Sequence, residues 1–333
     1  MNVEFYKKVR SIRSTVLVAA VVIFFSSCGE ENKPNDIITE KPVAMPVVQA
    51  PAFNADSAYF YTEKQVSFGP RIPNTSAHMR CADYLAQSFR KFGATVIEQD
   101  FQAKTFDGKM LRSKNIIASI NPSATKRILL AAHWDTRPWS DEDSKEPNKT
   151  FDGANDGASG AGILMELART IQQTEKKPSV GIDIILFDAE DYGKSGYDDS
   201  YCLGSQYWAK NKHVANYSAY YGILLDMAGG KGARFNKEGV SMEYAPSIVN
   251  KVWDQASVLG YNQYFIHQVA GNITDDHYYV NKYAKIPMID IIDYDPGAGF
   301  GDYWHTQQDN MSVIDKNTLK AVGQTLLQTL YSE

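Results

Sequence analysis

Apolar positions along the chain follow two rhythms, unbroken runs of strand length and faces of helical period, and the two alternate from about residue 56 to the end. Thr95 to Gln102 and Asn115 to Ile120 read as strands, and Phe106-Asp107-Gly108-Lys109 supplies the turn chemistry that joins them as a hairpin. Four further runs, Arg127 to Ala132, Val180 to Phe187, Tyr220 to Leu225 and Ile286 to Ile292, are continuous rather than alternating. That pattern belongs to strands covered on both faces, as in parallel sheets. Helical spacing marks residues 56–69, 75–92, 204–210 and 244–259, the last with Pro246 in its first turn. A helix opening near Gly157 presents Leu164, Leu167, Ala168 and Ile171 on one face, and a final one starts at Asp315, which reads as its N-cap. The alternation predicts an α/β fold: a mixed, mostly parallel twisted central sheet flanked by helices on both faces.

The ends of the apolar runs carry the chemistry. Ile184-Ile185-Leu186-Phe187 stops in Asp188-Ala189-Glu190-Asp191, Leu129-Leu130-Ala131-Ala132 in His133, and Ile223-Leu224-Leu225 in Asp226. Parallel packing brings those ends to one rim, where ligands bind in open α/β sheets. Asp156 lies beside that rim in Gly153-Ala154-Asn155-Asp156-Gly157, where small residues allow close backbone approach, and His305 returns to it after the strand ending at Ile292. Any one of these residues alone would read as structural. Together, nitrogen and carboxylate donors at equivalent topological positions are what a catalytic zinc site with an open position requires. Neighbouring side chains in an extended strand face opposite ways, so Asp191 can ligate while Glu190 faces substrate as general base and acid. His78, His213 and His267 have no such context and read as surface residues.

The remaining features place the domain. Residues 1–27 combine a basic start (Lys7, Lys8, Arg10, Arg13) with an apolar stretch from Thr15 to Phe25, too short to span a bilayer, and read as a lipoprotein signal peptide. Phe25-Ser26-Ser27-Cys28 resembles a lipobox, with Cys28 as the lipidated residue that anchors the protein to a bacterial membrane, facing the periplasm or the cell surface. Residues 28–55 are polar and proline-rich and read as a flexible tether; residues 56–333 read as one catalytic domain. The formal net charge is -5, which argues against nucleic acid as a partner. Cys81 and Cys202 could form a disulfide in an exported compartment, but their spacing says nothing of geometry.

The ordered set His133-x-Asp135, Asp156, Glu190-Asp191, Asp226 and His305 resembles the zinc-dependent exopeptidases of aminopeptidase type. Within them, Leu186 to Asp191, Leu224-Leu225-Asp226-Met227, Thr274-Asp275-Asp276-His277 and Trp304-His305-Thr306-x-x-Asp309-Asn310 look most like glutaminyl cyclases. The resemblance implies cyclisation of N-terminal glutamine in peptides and proteins to pyroglutamate, with one zinc held by Asp156, Asp191 and His305. It implies Glu190 as proton shuttle in an acid network with Asp226 and Asp275, and Trp304, Tyr201 and Phe300 as pocket walls. Asp191 stands where glutamate is more usual, and Asp290 where animal cyclases have histidine. Two other readings stay open: a dinuclear zinc aminopeptidase, with His133 and Asp226 completing a second site, and a non-catalytic binding module.

Overall fold

Side chains of the fourth strand alternate between two cores: Ile182, Ile184 and Leu186 join one apolar cluster, Ile185 and Phe187 the other, all fully buried. A strand with both faces covered lies in the middle of a sandwich of helices. The computed structural model describes residues 48–333 except Asp198. The expected signal peptide, Cys28 and the first part of the expected tether lie outside the described residues.

In chain order the elements are α1 (Ala55–Val66), α2 (Ser76–Phe92), β1 (Thr95–Lys104), β2 (Met110–Ile120), β3 (Arg127–His133), α3 (Ala158–Gln173), β4 (Gly181–Phe187), α4 (Leu203–Lys210) and β5 (Tyr221–Asp226). There follow β6 (Phe235–Lys237), α5 (Gly239–Tyr244), α6 (Pro246–Val258), β7 (Phe265–Val269), α7 (Asp276–Tyr279), β8 (Met288–Ile292), β9 (Tyr294–Asp295), β10 (Gly299–Phe300) and α8 (Lys316–Tyr331). The main sheet has the order β1-β2-β4-β3-β5-β8. β1, β2 and β4 pair antiparallel, whereas β4, β3, β5 and β8 run parallel, so the carboxyl ends of those four share one rim. Residues of α2, α3, α6 and α8 fill the core on one face, and Trp208 of α4 with Val280 and Ala284 fills the other. The mixed sheet between helical layers is the one the sequence predicts.

Three expectations need adjustment. The helix expected over 244–259 is two helices: Ala245 leaves the helical region (φ -145°, ψ 51°) immediately before Pro246, which occupies the first turn of α6. The ring of a proline pushes its predecessor out of helical geometry. Within the segment expected as a tether, residues 48–53 are bound to the domain. Ala50 and Phe53 donate backbone N–H groups to Gln328 and Gln324 of α8, and those amides donate back to Val48 and Pro51. Phe53 is buried over Gly323, where an added Cβ would come within 2.4 Å of the ring. Burying that ring contributes roughly 2 kcal/mol, enough to hold a short strap in place. Finally, β6 and β7 have no counterpart among the apolar runs; they are too short to show a period. No helix among the described residues is long and apolar enough to cross a membrane.

Candidate active site

The loop after β4 is built by a reversal of backbone hand. Ala189 sits at φ 55°, with its N–H bonded to the Asp188 carboxylate at 2.8 Å. The next two N–H groups, of Glu190 and Asp191, both donate to Asp135, at 3.0 and 3.3 Å. Glu190 and Asp191 therefore diverge because of a left-handed turn pinned by two carboxylates, rather than by strand alternation. Met227 and His305 also lie in the left-handed region, at φ 47° and 53°. Strained non-glycine residues cluster where a site demands an orientation that regular structure cannot supply.

His305 Nε2 lies 3.2 Å from Asp191 Oδ1 and 3.6 Å from Asp156 Oδ2. All three side chains are buried, and one donor atom from each falls within 4.8 Å of the others. Asp156 reaches the group from the loop before α3, where Gly157 (φ 93°) is obligatory: a Cβ there would lie 2.5 Å from the Asp135 carbonyl oxygen. The other carboxylate oxygen of Asp156 faces His133 Nε2 at 3.0 Å, and Asp226 faces the same nitrogen at 3.1 Å. Asp156 thus stands between two imidazoles, and His133, Asp156 and Asp226 form a second convergent group.

Supporting groups hold the donors still. His305 Nδ1 faces Asp141 at 3.2 Å, and Arg137 forks onto Asp141 while donating to the Asp191 and Gly193 carbonyls at 2.8 and 3.0 Å. Asp309 accepts the N–H groups of Asn155 and Asp156 at 2.7 and 3.1 Å. A buried histidine and two buried carboxylates, with the far imidazole nitrogen on a carboxylate, form the donor set and outer contacts that zinc favours. The residues present fit the metal.

Excess anionic charge runs through the site. Burial opposes charging of His305, but Asp191 and Asp141 outweigh it and lift its pKa to about 9. His133 is raised well above its ordinary value in the same way, by Asp135, Asp156 and Asp226 against burial. Burial, helped by Asp191, Asp275 and Asp276, pushes Glu190 well above the usual carboxylate range, and burial with Asp275 nearby lifts Asp226 to about 7. A site that draws protons onto imidazoles in this way is one that a divalent cation would satisfy.

A cavity of about 390 Å³ opens over the donors. Asp156, Glu190, Asp191, Asp226, Asp275 and His305 line it, together with Tyr201, Phe300 and Trp304, so the expected site residues meet in one place; His133 lies behind Asp156. Trp304 stacks on His305 (centroids 3.8 Å, 21°), and Phe300 tilts against Trp304 at 4.6 Å.

Residues 115–330 match the family described as Peptidase family M28. The chain belongs to peptidase family M28. Among solved M28-like structures, Porphyromonas gingivalis glutaminyl cyclase is 54% identical with a TM-score of 0.83, over 84% of this chain and 99% of that one. A leucine aminopeptidase precursor of Bacteroides thetaiotaomicron is 51% identical with a TM-score of 0.82, over 86% of this chain and 100% of that one. The glutaminyl-peptide cyclotransferase of Dictyostelium discoideum is 25% identical over 75% of this chain and 77% of its own length. The bacterial glutaminyl cyclase resemblance, the exopeptidase-like fold and an enzymatic role all stand.

Some expectations about this M28 site are corrected. The Asp226 carboxylate faces His133, and Asp275 and Glu190 come within 4.8 Å of each other beside Cys202. His78, expected at the surface, is buried: it stacks on Trp134 at 4.4 Å and meets both oxygens of Asp188 at 2.9 Å. Cys81 and Cys202 are both buried free thiols, so the disulfide does not form. Sequence reasoning missed Arg137, Asp141 and the buried Arg71, which donates to the carbonyls of Trp134 and Gly153 at 3.3 and 2.7 Å. An Arg137-x-x-x-Asp141 spacing was the one signal available, and in an aperiodic segment it does not stand out.

Proposed function

We propose that the chain is a zinc-dependent glutaminyl-peptide cyclotransferase, which converts the N-terminal glutamine of peptides and proteins to pyroglutamate and releases ammonia. The observation that carries this is the lining the cavity combines: a half-buried acid, Glu190, with the Asp156, Asp191 and His305 donors, and Trp304 stacked on His305. The glutaminyl cyclases among its relatives support the same reading.

Asp156, Asp191 and His305 would hold one zinc, which when bound supplies a Lewis acid for the γ-carboxamide carbonyl. Glu190 accepts the proton of the attacking α-amine and returns it to the departing ammonia. Its raised proton affinity suits a group that must both take and give a proton near neutral pH. Phe300 and Trp304 confine the glutamine side chain so that amine and carboxamide stay within reach, which is most of what an intramolecular ring closure needs. The acidic lining, from Asp226 and Asp275, favours a substrate that begins with an amine.

A dinuclear aminopeptidase is the second reading, and the position of Asp156 between His133 and His305 favours it. A paired assay on the full chain separates the two, with zinc measured on the same sample. Ammonia from a glutamine-initiated peptide with about one zinc per chain establishes the cyclotransferase; free leucine from a leucine-initiated peptide with about two zincs establishes the aminopeptidase. The proposal extends to location: lipidation at Cys28 would tether the domain to a bacterial membrane, supported by the sequence of residues 1–28 alone. Membrane partitioning of the full chain that is lost in Cys28→Ala tests it.

A further inference from the structure

Between the catalytic loop and α4 lies a contact that the proposed chemistry does not use. Cys202 Sγ lies 3.2 Å from Glu190 Oε1, with the thiol buried. The backbone joins in: the Cys202 N–H donates to the Glu190 carbonyl at 2.8 Å and the Leu203 N–H to the Ala189 carbonyl at 3.0 Å. Cys202 adopts φ 57°, ψ 37° just ahead of α4, and that left-handed conformation belongs to the same clamp.

We infer that Cys202 is a positioning residue for Glu190, its thiol donating to Oε1 and holding the carboxyl in the orientation that faces the cavity. Among the described residues, no other group donates a hydrogen bond to that carboxyl. Around Glu190 the His133 imidazole attracts its charge and Asp191, Asp275 and Asp276 repel it, and none of the four donates a hydrogen bond that would orient the carboxyl. A lysine or arginine in place of the thiol would orient the carboxyl but would stabilise its charge and weaken it as a base. A thiol is a weak donor on a small apolar side chain. It can steer the carboxyl without bringing a charge to it. Burial, with the Glu190 charge beside it, raises the thiol pKa well above its ordinary value, so the proton needed for donation stays on sulfur.

The inference rests on Glu190 as proton carrier, and its test runs on the full chain with zinc bound. Cyclisation of a glutamine-initiated peptide is measured for the parent, Cys202→Ala and Cys202→Ser, each alone and combined with Glu190→Gln. Expected is a fall in kcat of about tenfold for Cys202→Ala with KM within about twofold, and recovery to within about threefold for Cys202→Ser, which restores a donor. In the Glu190→Gln background Cys202→Ala should add no further loss. Unchanged kcat in Cys202→Ala, equal losses in the alanine and serine variants, or full additivity with Glu190→Gln would each overturn it. An arm independent of turnover follows the S–H infrared stretch of Cys202, isolated as the difference between the parent and Cys202→Ser. It should move to higher frequency in Glu190→Gln, where the acceptor is no longer charged; a band that stays put overturns the contact. If the parent releases no ammonia, the cyclotransferase reading falls and the infrared arm still decides the inference.

Discussion

The Asp135 carboxylate accepts the backbone N–H of Glu190 at 3.0 Å, so an acid in the loop after β3 sets the turn that presents the proposed base after β4. Its second oxygen takes the Asp191 N–H at 3.3 Å. Asp135→Asn would leave one of these donors facing an amide NH2. Loss of such an outer contact typically costs about 10- to 100-fold in activity or metal affinity. The expected result is a kcat reduced within that range in a folded protein, checked by steady-state kinetics and circular dichroism.

Glu190→Gln keeps the proposed donors Asp156, Asp191 and His305 and removes the proposed proton carrier. Bound zinc should be unchanged and kcat should fall by about 10²- to 10⁴-fold. His305→Ala takes away the nitrogen donor that faces both carboxylates, and should lose zinc and turnover together. Near-normal rates in Glu190→Gln would remove that residue from the role of base.

Metal removal separates the two convergent groups. Chelation should abolish turnover, and about one equivalent of zinc should restore it if only the Asp156, Asp191 and His305 group is filled. His133→Ala should then leave zinc content at about one, because His133 touches Asp156 only from behind. A fall from two zincs to one in His133→Ala would establish the second site.

Glu238, outside the donor set, supplies a stability effect. Its carboxylate caps α5 through the N–H groups of Val240 and Ser241 at 2.7 Å, takes the Ile273 N–H at 2.8 Å, and faces His277 at 3.0 Å. Burial opposes its charge, but the His277 contact and these bonds win and lower its pKa to about 2. A carboxylate whose folded pKa is depressed stabilises the fold above its unfolded pKa, and that contribution is lost as pH falls through the folded value. The shift amounts to roughly 3 kcal/mol, withdrawn between about pH 4.5 and pH 2. Urea unfolding across that window should show the parent losing stability steeply, and Glu238→Gln should be less stable at pH 6 with a flatter profile.

The sheet and the rim were legible because an apolar run that ends in His133, Asp226 or Asp188-Ala189-Glu190-Asp191 carries both its burial and its exception in a few adjacent residues. Burial of the run is a local property, and the polar residue that breaks it has no reason in packing. Arg137 and Asp141 were not legible for the opposite reason. They sit in an aperiodic segment, and their role exists only because Asp191 and His305, far along the chain, arrive beside them. His78 was misread because its burial depends on Trp134 and Asp188, neither of them in its own helix.

By itself the sequence determined the α/β class, the strands of the central sheet and the rim on which the candidate donors lie. Tertiary structure alone decided that Asp156 faces two histidines, that Glu190 is aimed by a left-handed turn, and that a cysteine rests on it. The first group follows from period and composition, which each segment carries within itself. The second depends on ångström-scale approach between segments, and that is set only when whole elements pack together.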